Sequence, residues 1–335
     1  VSGFTELPDL ASERLGGAVL VANDEFFAPK ENLLREAAPV WREGQYTDRG
    51  KWMDGWETRR RRTPGHDWCI VRLGLPGMVR GVVVDTAYFK GNYPERCSLE
   101  ACDAPHDTPA GVLAGPDCRW VELLASTPLA GDTRNTFDIE TRTRATHLRL
   151  NIYPDGGVAR LRVHGEVSPD WQALLSRGGE LDLAAVEHGG LVLAASDMFF
   201  GHRHNLIMPG RAAGMHDGWE TRRRRGPGHD WCIVRLGRAG RISRVEVDTD
   251  YFRGNAPDSC SLEGCSADGA TLEDLTGPAQ PWAPILALTP LQPHTRHAFD
   301  ADPSVGGVTH VRFNIFPDGG VARLRLFGTV TATAR

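Results

Sequence analysis

Over short spans, apolar and polar residues alternate along this chain with a period of two. In Thr146–Ile152, Thr146, Leu148, Leu150 and Ile152 share one face and His147, Arg149 and Asn151 the other, as in a half-buried strand. The next run repeats the pattern, with Ala159, Leu161 and Val163 inward and Arg160, Arg162 and His164 outward. Between them, Pro154-Asp155-Gly156-Gly157 predicts a tight turn, because glycine adopts the positive φ that hairpin turns require. Cys69–Leu73, Val79–Phe89, Cys97–Cys102 and Trp120–Leu124 are further apolar runs bounded by Gly, Pro, Asn and Asp. Helix signals are few, with one helical turn at Trp171–Leu175. Strands at this spacing predict an all-β chain built as sandwiches.

The pattern occurs twice. Asp54–Gly74 returns as Asp217–Gly237 with a single change, Thr63 against Gly226. Val82–Cys102 matches Val245–Cys265, and Asn151–Val163 matches Asn314–Leu326. Upstream, Asp9-Leu10-Ala11 and Asn32-Leu33 return as Asp182-Leu183-Ala184 and Asn205-Leu206. The spacing differs there because the first copy carries an insertion around Val40–Lys51, rich in charge and tryptophan and expected to cover a site or an interface. A repeat of this length is a whole domain, which predicts two β-sandwich domains, residues 1–167 and 168–335. Core strands tolerate apolar swaps, so a core does not explain near-identity in a polar run such as DGWETRRRR. Chemistry or a shared interface does.

Composition narrows the classes. A net charge of −5 gives no electrostatic footprint for nucleic acid or an anionic membrane. No apolar run is long enough to span a bilayer. The seven cysteines form no CxxC pair and are odd in number, which predicts free, buried thiols in a reducing compartment. VSGFTELPDLASERLGG does not read as a signal peptide, so the expected location is the cytoplasm.

The candidate chemistry lies in the matched blocks. Arg149, Arg160 and Arg162 recur as Arg312, Arg323 and Arg325. They either salt-bridge across an exposed sheet, with Glu100 and Glu263 as partners, or grip a small carboxylate with the guanidinium fork. Of twelve histidines, only His66/His229 and His147/His310 hold matched positions. His66 stands beside Asp67, a carboxylate able to orient an imidazole. The unmatched His202 and His204 make a weak case for metal.

The segments ELPDLASERLGG, NDEFFAPKENLL, DGWETRRRRTPGHDWCIVRLG, VDTAYFKGNYPERCSLE and NIYPDGGVARLRVHG, with their second copies, resemble the allantoicase family over nearly the whole chain. The resemblance implies a tandem pair of jelly-roll β-sandwiches similar to galactose-binding modules. It also implies hydrolysis of allantoate to ureidoglycolate and urea in purine breakdown, and a homo-oligomer. Allantoate carries one carboxylate and two ureido groups on one carbon. Arginines of the matched blocks (Arg59, Arg60, Arg160; Arg222, Arg223, Arg323) are expected to hold the carboxylate, and Asn92 and Asn255 a ureido group. Glu57/Glu220 and His66/His229 are expected as the acid and base, supported by Asp54, Asp67, Asp217 and Asp230. A divalent metal is the other means of activating water, and the Asp54-Gly55 start resembles a structural ion loop of galactose-binding-like modules. The competing class is a non-enzymatic ligand- or carbohydrate-binding protein on the same fold. Each repeat builds its own site or the two blocks share one, and the small substrate's need for a dry site favours sharing.

Overall fold

The computed structural model describes residues 3–331 and divides into two units, Val1–Pro169 and Asp170–Arg335. The first contains β1 (Ala18–Ala22), β2 (Tyr46–Thr47), β3 (Gly50–Lys51), β4 (Trp56–Glu57), β5 (Asp67–Asp85), β6 (Arg96–Cys102), β7 (Val121–Pro128), β8 (Arg134–Asp138), β9 (Arg144–Tyr153), β10 (Gly157–Val158) and β11 (Arg160–Val167). The second contains β12 (Leu181–Asp182), β13 (Leu191–Ala195), β14 (Trp219–Glu220), β15 (Asp230–Asp248), β16 (Ser259–Cys265), β17 (Ala283–Pro290), β18 (Arg296–Asp300), β19 (Val308–Phe316), β20 (Gly320–Val321) and β21 (Arg323–Val330). Each unit is an antiparallel jelly-roll sandwich, and a short helix follows the first at Trp171–Ser176. Among the described residues, no helix is long and apolar enough to cross a membrane.

Strand β5 runs through a stretch that reads as a turn. Its first part lies between β1 and β9, and its last part between β11 and β8. The register against β9 slips between Arg72 and Gly77, at Gly74-Leu75-Pro76-Gly77. A bulge here bends one strand from one layer of the sandwich into the other. Pro76, which has no N–H for a ladder, still accepts from Ser168 N at 2.8 Å. In β9 and β11, Leu148, Leu150, Ile152, Leu161 and Val163 are fully buried, each stabilising by about 1.5–3 kcal/mol relative to exposure.

The outward face departs from its expected solvation. His147 is fully buried, and burial pushes its pKa down to about 4. Arg160 is also buried, at 2% exposure. Its guanidinium donates to Asp54 Oδ2 at 2.8 Å, to the Asp54 carbonyl at 3.1 Å and to the Ala37 carbonyl at 2.9 Å. The segment around Arg35–Ala37, whose carbonyls accept from Arg160 and Arg162, folds over this face, so strand alternation alone misplaces the residue. All seven cysteines are free thiols, and burial raises Cys97 and Cys260 to about 12.

Candidate functional site

One end of the first sandwich gathers Glu57 and Asn92. Strand β4 is only two residues long, but it is held on both sides. Glu57 pairs with Gly157 of β10 and bridges to Ala28. Trp56 is fully buried and donates its Nε1–H to the Asp24 carbonyl at 2.8 Å. Alternation along the strand then turns Glu57 the other way, into the loops. Asn92 is fixed by its carbonyl, which accepts from Gly157 N at 2.7 Å, and its Nδ2 donates to Glu57 Oε1 at 2.6 Å. Gly157 cannot be replaced cheaply, since a Cβ there would lie 1.9 Å from Phe89.

The loop before Asn92 is strained. Tyr88 has φ 68° and Asp132 φ 49°, a region that costs non-glycine residues about 1–3 kcal/mol. Two bonds hold it: Tyr88 N donates to Asp132 Oδ1 at 2.7 Å, and Asp132 N to the Phe89 carbonyl at 3.1 Å. Among the described residues, the non-glycine residues with positive φ are these two and their second-unit counterparts, Tyr251 at 72° and His294 at 50°. Such strain clusters where a site needs a fixed geometry.

Over this end lies the hairpin of β2 and β3, within the insertion. The Trp41 ring sits 5.9 Å from Tyr88, and Lys51 Nζ sits 4.2 Å from the Trp41 ring centre. Together with Phe27, Met53, Lys90 and Gly91, these residues and the Glu57–Asn92 pair line a cavity of about 760 Å³. Burial raises the pKa of Glu57, partly offset by the Asn92 donor. A carboxyl with a raised pKa thus shares a cavity with aromatic walls, with Lys51, and with Lys90, whose Nζ lies 3.7 Å from Asp132 Oδ2. The arrangement suits proton donation to a leaving group next to a bound carboxylate.

The other residues expected in the site lie elsewhere. Asp54 is buried against Arg160, accepts from Val40 N at 2.9 Å, and has Arg35 at 3.6 Å, which keep its pKa low despite burial. The Arg160 guanidinium is committed to Asp54, and neither residue lines the Glu57–Asn92 cavity. Asp217 and Arg323 repeat this pair at 3.0 Å. Arg59 is held by Asp24 at 2.7 Å and Arg222 by Asp197 at 2.8 Å, while Arg60 and Arg223 are exposed. None of these four lines the cavity.

His66 and Asp67 also separate. His66 precedes β5, which opens at Asp67, and Asp67 binds Arg61 at 2.7 Å and Asn23 at 3.0 Å instead of the imidazole. His66 Nε2 lies 3.3 Å from Asn151 Oδ1, beside the Tyr153 ring. Asn151 donates to Glu100 at 2.9 Å and to Ser98 at 3.0 Å, and Arg149 closes the network on Glu100 at 2.7 Å. This network borders a second cleft, of about 520 Å³, that does not include Glu57. In the second unit, His229, Asn314, Glu263 and Arg312 repeat it, and Asp230 binds Arg224 at 2.5 Å.

The second unit keeps the loop-end pair. Asn255 donates to Glu220 at 2.5 Å, and burial again raises the carboxyl pKa. Sequence reasoning missed Tyr88, Lys90, Lys51 and Trp41 as lining residues. The charged, tryptophan-rich insertion was the available signal for the last two. Among the described residues, no three His, Cys, Asp or Glu side chains gather as a metal ligand set.

Comparison with known proteins agrees with this duplicated architecture. The family model described as the allantoicase repeat matches residues 8–168 and 181–331. A probable allantoicase of Nocardia farcinica is 52% identical over 327 residues, which are 97% of this chain and 95% of that protein. Probable allantoicase 2 of Burkholderia pseudomallei is 50% identical over 321 residues, 96% of this chain and 94% of that one. The crystal structure of allantoicase from Saccharomyces cerevisiae matches with a TM-score of 0.80 at 36% identity, covering 96% of this chain and 93% of its own. With both repeats matched and nearly all of each relative spanned, the chain belongs to the allantoicase family.

Proposed function

We propose that the allantoicase reaction of this chain, hydrolysis of allantoate to ureidoglycolate and urea in purine degradation, takes place in the loop-end cavity of the first unit. The observation that carries this reading is the Glu57–Asn92 pair opening into a covered cavity, with the carboxyl's pKa raised by burial. Lys51 and Lys90 bind the substrate carboxylate as point charges. Asn92, its Nδ2 committed to Glu57, offers Oδ1 to ureido N–H groups. Trp41, Tyr88 and Phe27 shield the reacting carbon from bulk solvent, while one water is admitted for the hydrolysis.

One carboxyl suffices for both proton transfers. Protonated Glu57 gives its proton to the nitrogen of the departing ureido group. The C–N pair leaves with urea, and the lone pair of the remaining ureido nitrogen forms a C=N bond. Water then adds to that carbon, and its proton returns to the Glu57 carboxylate, yielding ureidoglycolate. Acid–base catalysis of this kind contributes about 10²–10⁴-fold, with positioning and electrostatics adding to it. The same reading treats the chain as a cytoplasmic homo-oligomer acting on a small molecule, without a cofactor. Light scattering checks the assembly, and an unchanged rate after chelation is the expected result for the cofactor.

The test is steady-state kinetics of Glu57→Gln and Glu220→Gln. Glu57→Gln is expected to lower kcat by about 10²–10⁴ with little change in KM, and Glu220→Gln at least about tenfold less. A Glu57→Gln variant within about threefold of wild-type kcat would remove Glu57 from the mechanism. Equal losses that fail to add in the double variant mean that the two carboxyls act together.

A further inference from the structure

We infer that the loop end of the second unit is a separate ligand site for a small carboxylic acid bearing one ureido group, the chemical class of the reaction's product. The inference rests on reading Glu57 and Asn92 as the first site. The second copy keeps the same construction down to its backbone: Gly320 N donates to the Asn255 carbonyl at 2.8 Å, and a Cβ at Gly320 would lie 2.0 Å from Phe252.

The strain is kept as well, by different chemistry. His294 stands where the first unit has Asp132, yet Tyr251 N donates to His294 Nδ1 at 2.8 Å as Tyr88 N donates to Asp132. A loop with no role would be free to relax once its carboxylate acceptor was lost. Here an imidazole holds the same left-handed conformation and leaves Asn255 on Glu220.

What differs is the cover. The second unit's sequence has no counterpart of the 40–51 insertion that supplies Trp41 and Lys51. Phe200 is 61% exposed, whereas Phe27 is half-buried. Arg253 replaces Lys90, with Nη2 3.5 Å from His294 Nε2. The carboxyl and amide of Glu220 and Asn255 offer acceptors to ureido N–H groups, and Arg253 offers a fork for one carboxylate. A second ureido group would meet no wall. An open site with one guanidinium binds such an acid without excluding the water that slows the chemistry.

Equilibrium dialysis of N-carbamoylglycine against the full chain tests this, because the probe has the carboxylate and a single ureido group but no second nitrogen on that carbon to expel it as urea. Two molecules per chain are expected, in classes of unequal Kd. Asn255→Ala and the exposed Arg253→Ala are each expected to weaken one class by at least about fivefold, and Asn92→Ala the other. A binding profile in which no class responds to positions 253 and 255 overturns the second site. Loss of only the Asn92-dependent class counts against the first-unit reading and leaves the second site standing.

Discussion

Two regions of each unit are duplicated, and they have diverged differently. On the sheet face, His66, Asn151, Glu100 and Arg149 make the same bonds in the same order as His229, Asn314, Glu263 and Arg312. At the loop ends, the Glu–Asn pair and the strained backbone are shared, but cover and cations are not. A closed polar network resists change because each substitution leaves a partner unsatisfied, costing about 1–3 kcal/mol where buried. Repetition of this sheet-face network follows from the bonds its members must keep together. Difference in function enters where the copies part, at the hairpin that roofs the first loop end.

The largest expected effect tests the scaffold side of that contrast. Arg160→Met leaves Asp54 buried without its main partner and is expected to cost about 3–5 kcal/mol in urea unfolding. Arg149→Met, at a pair about one-quarter exposed on each side, is expected to cost under about 1 kcal/mol. A folded Arg160→Met variant that loses less than about 1 kcal/mol in stability but most of its substrate affinity would return Arg160 to the binding site.

These outcomes also mark how far the residue pattern could be read. Alternation identified β9 and β11 and the turn between them, and chemistry alone singled out Glu57 and Asn92. It split β5 in two because Pro76 and the flanking glycines are the residues of a turn and equally those of a bulge between layers. It sent Arg160 outward because period two reports faces, not what folds over them. His66 and Asp67 were joined by sequence adjacency, but Asp67 opens β5 and is taken by Arg61 and Asn23. Tyr88 left no signal at all, since nothing in a tyrosine announces positive φ.

A smaller effect probes the roof. Trp41→Ala is expected to raise KM about tenfold and lower kcat modestly, because it removes the aromatic wall over Tyr88 without touching the sandwich core. Lys51→Ala is expected to act on KM too, and the two changes should fall short of additivity by about 0.5–1 kcal/mol, as a cation 4.2 Å from the ring centre predicts. Full additivity, or a KM unmoved by either, would mean that the hairpin does not roof the site.

The smallest effect is in stability, and its sign is diagnostic. Burial raises the Glu57 pKa above that of the unfolded chain, so between the two values the folded state holds more protons. Stability then falls as pH rises through that window, and above it the full penalty of burying the charge remains. Glu57→Gln removes the penalty while keeping an acceptor for Asn92. The variant is therefore expected to melt higher than wild type at pH 7 and to lose that advantage near pH 4, even as its activity collapses. Wild-type kcat/KM should fall on the alkaline side as the protonated acid is lost. Glu220→Gln should show the same sign, because burial raises that carboxyl as well. A Glu57→Gln variant that melts lower than wild type at pH 7 would mean that Lys51 and Lys90 stabilise an ionised Glu57, making it the base in the resting site and reversing the order of the two proton transfers.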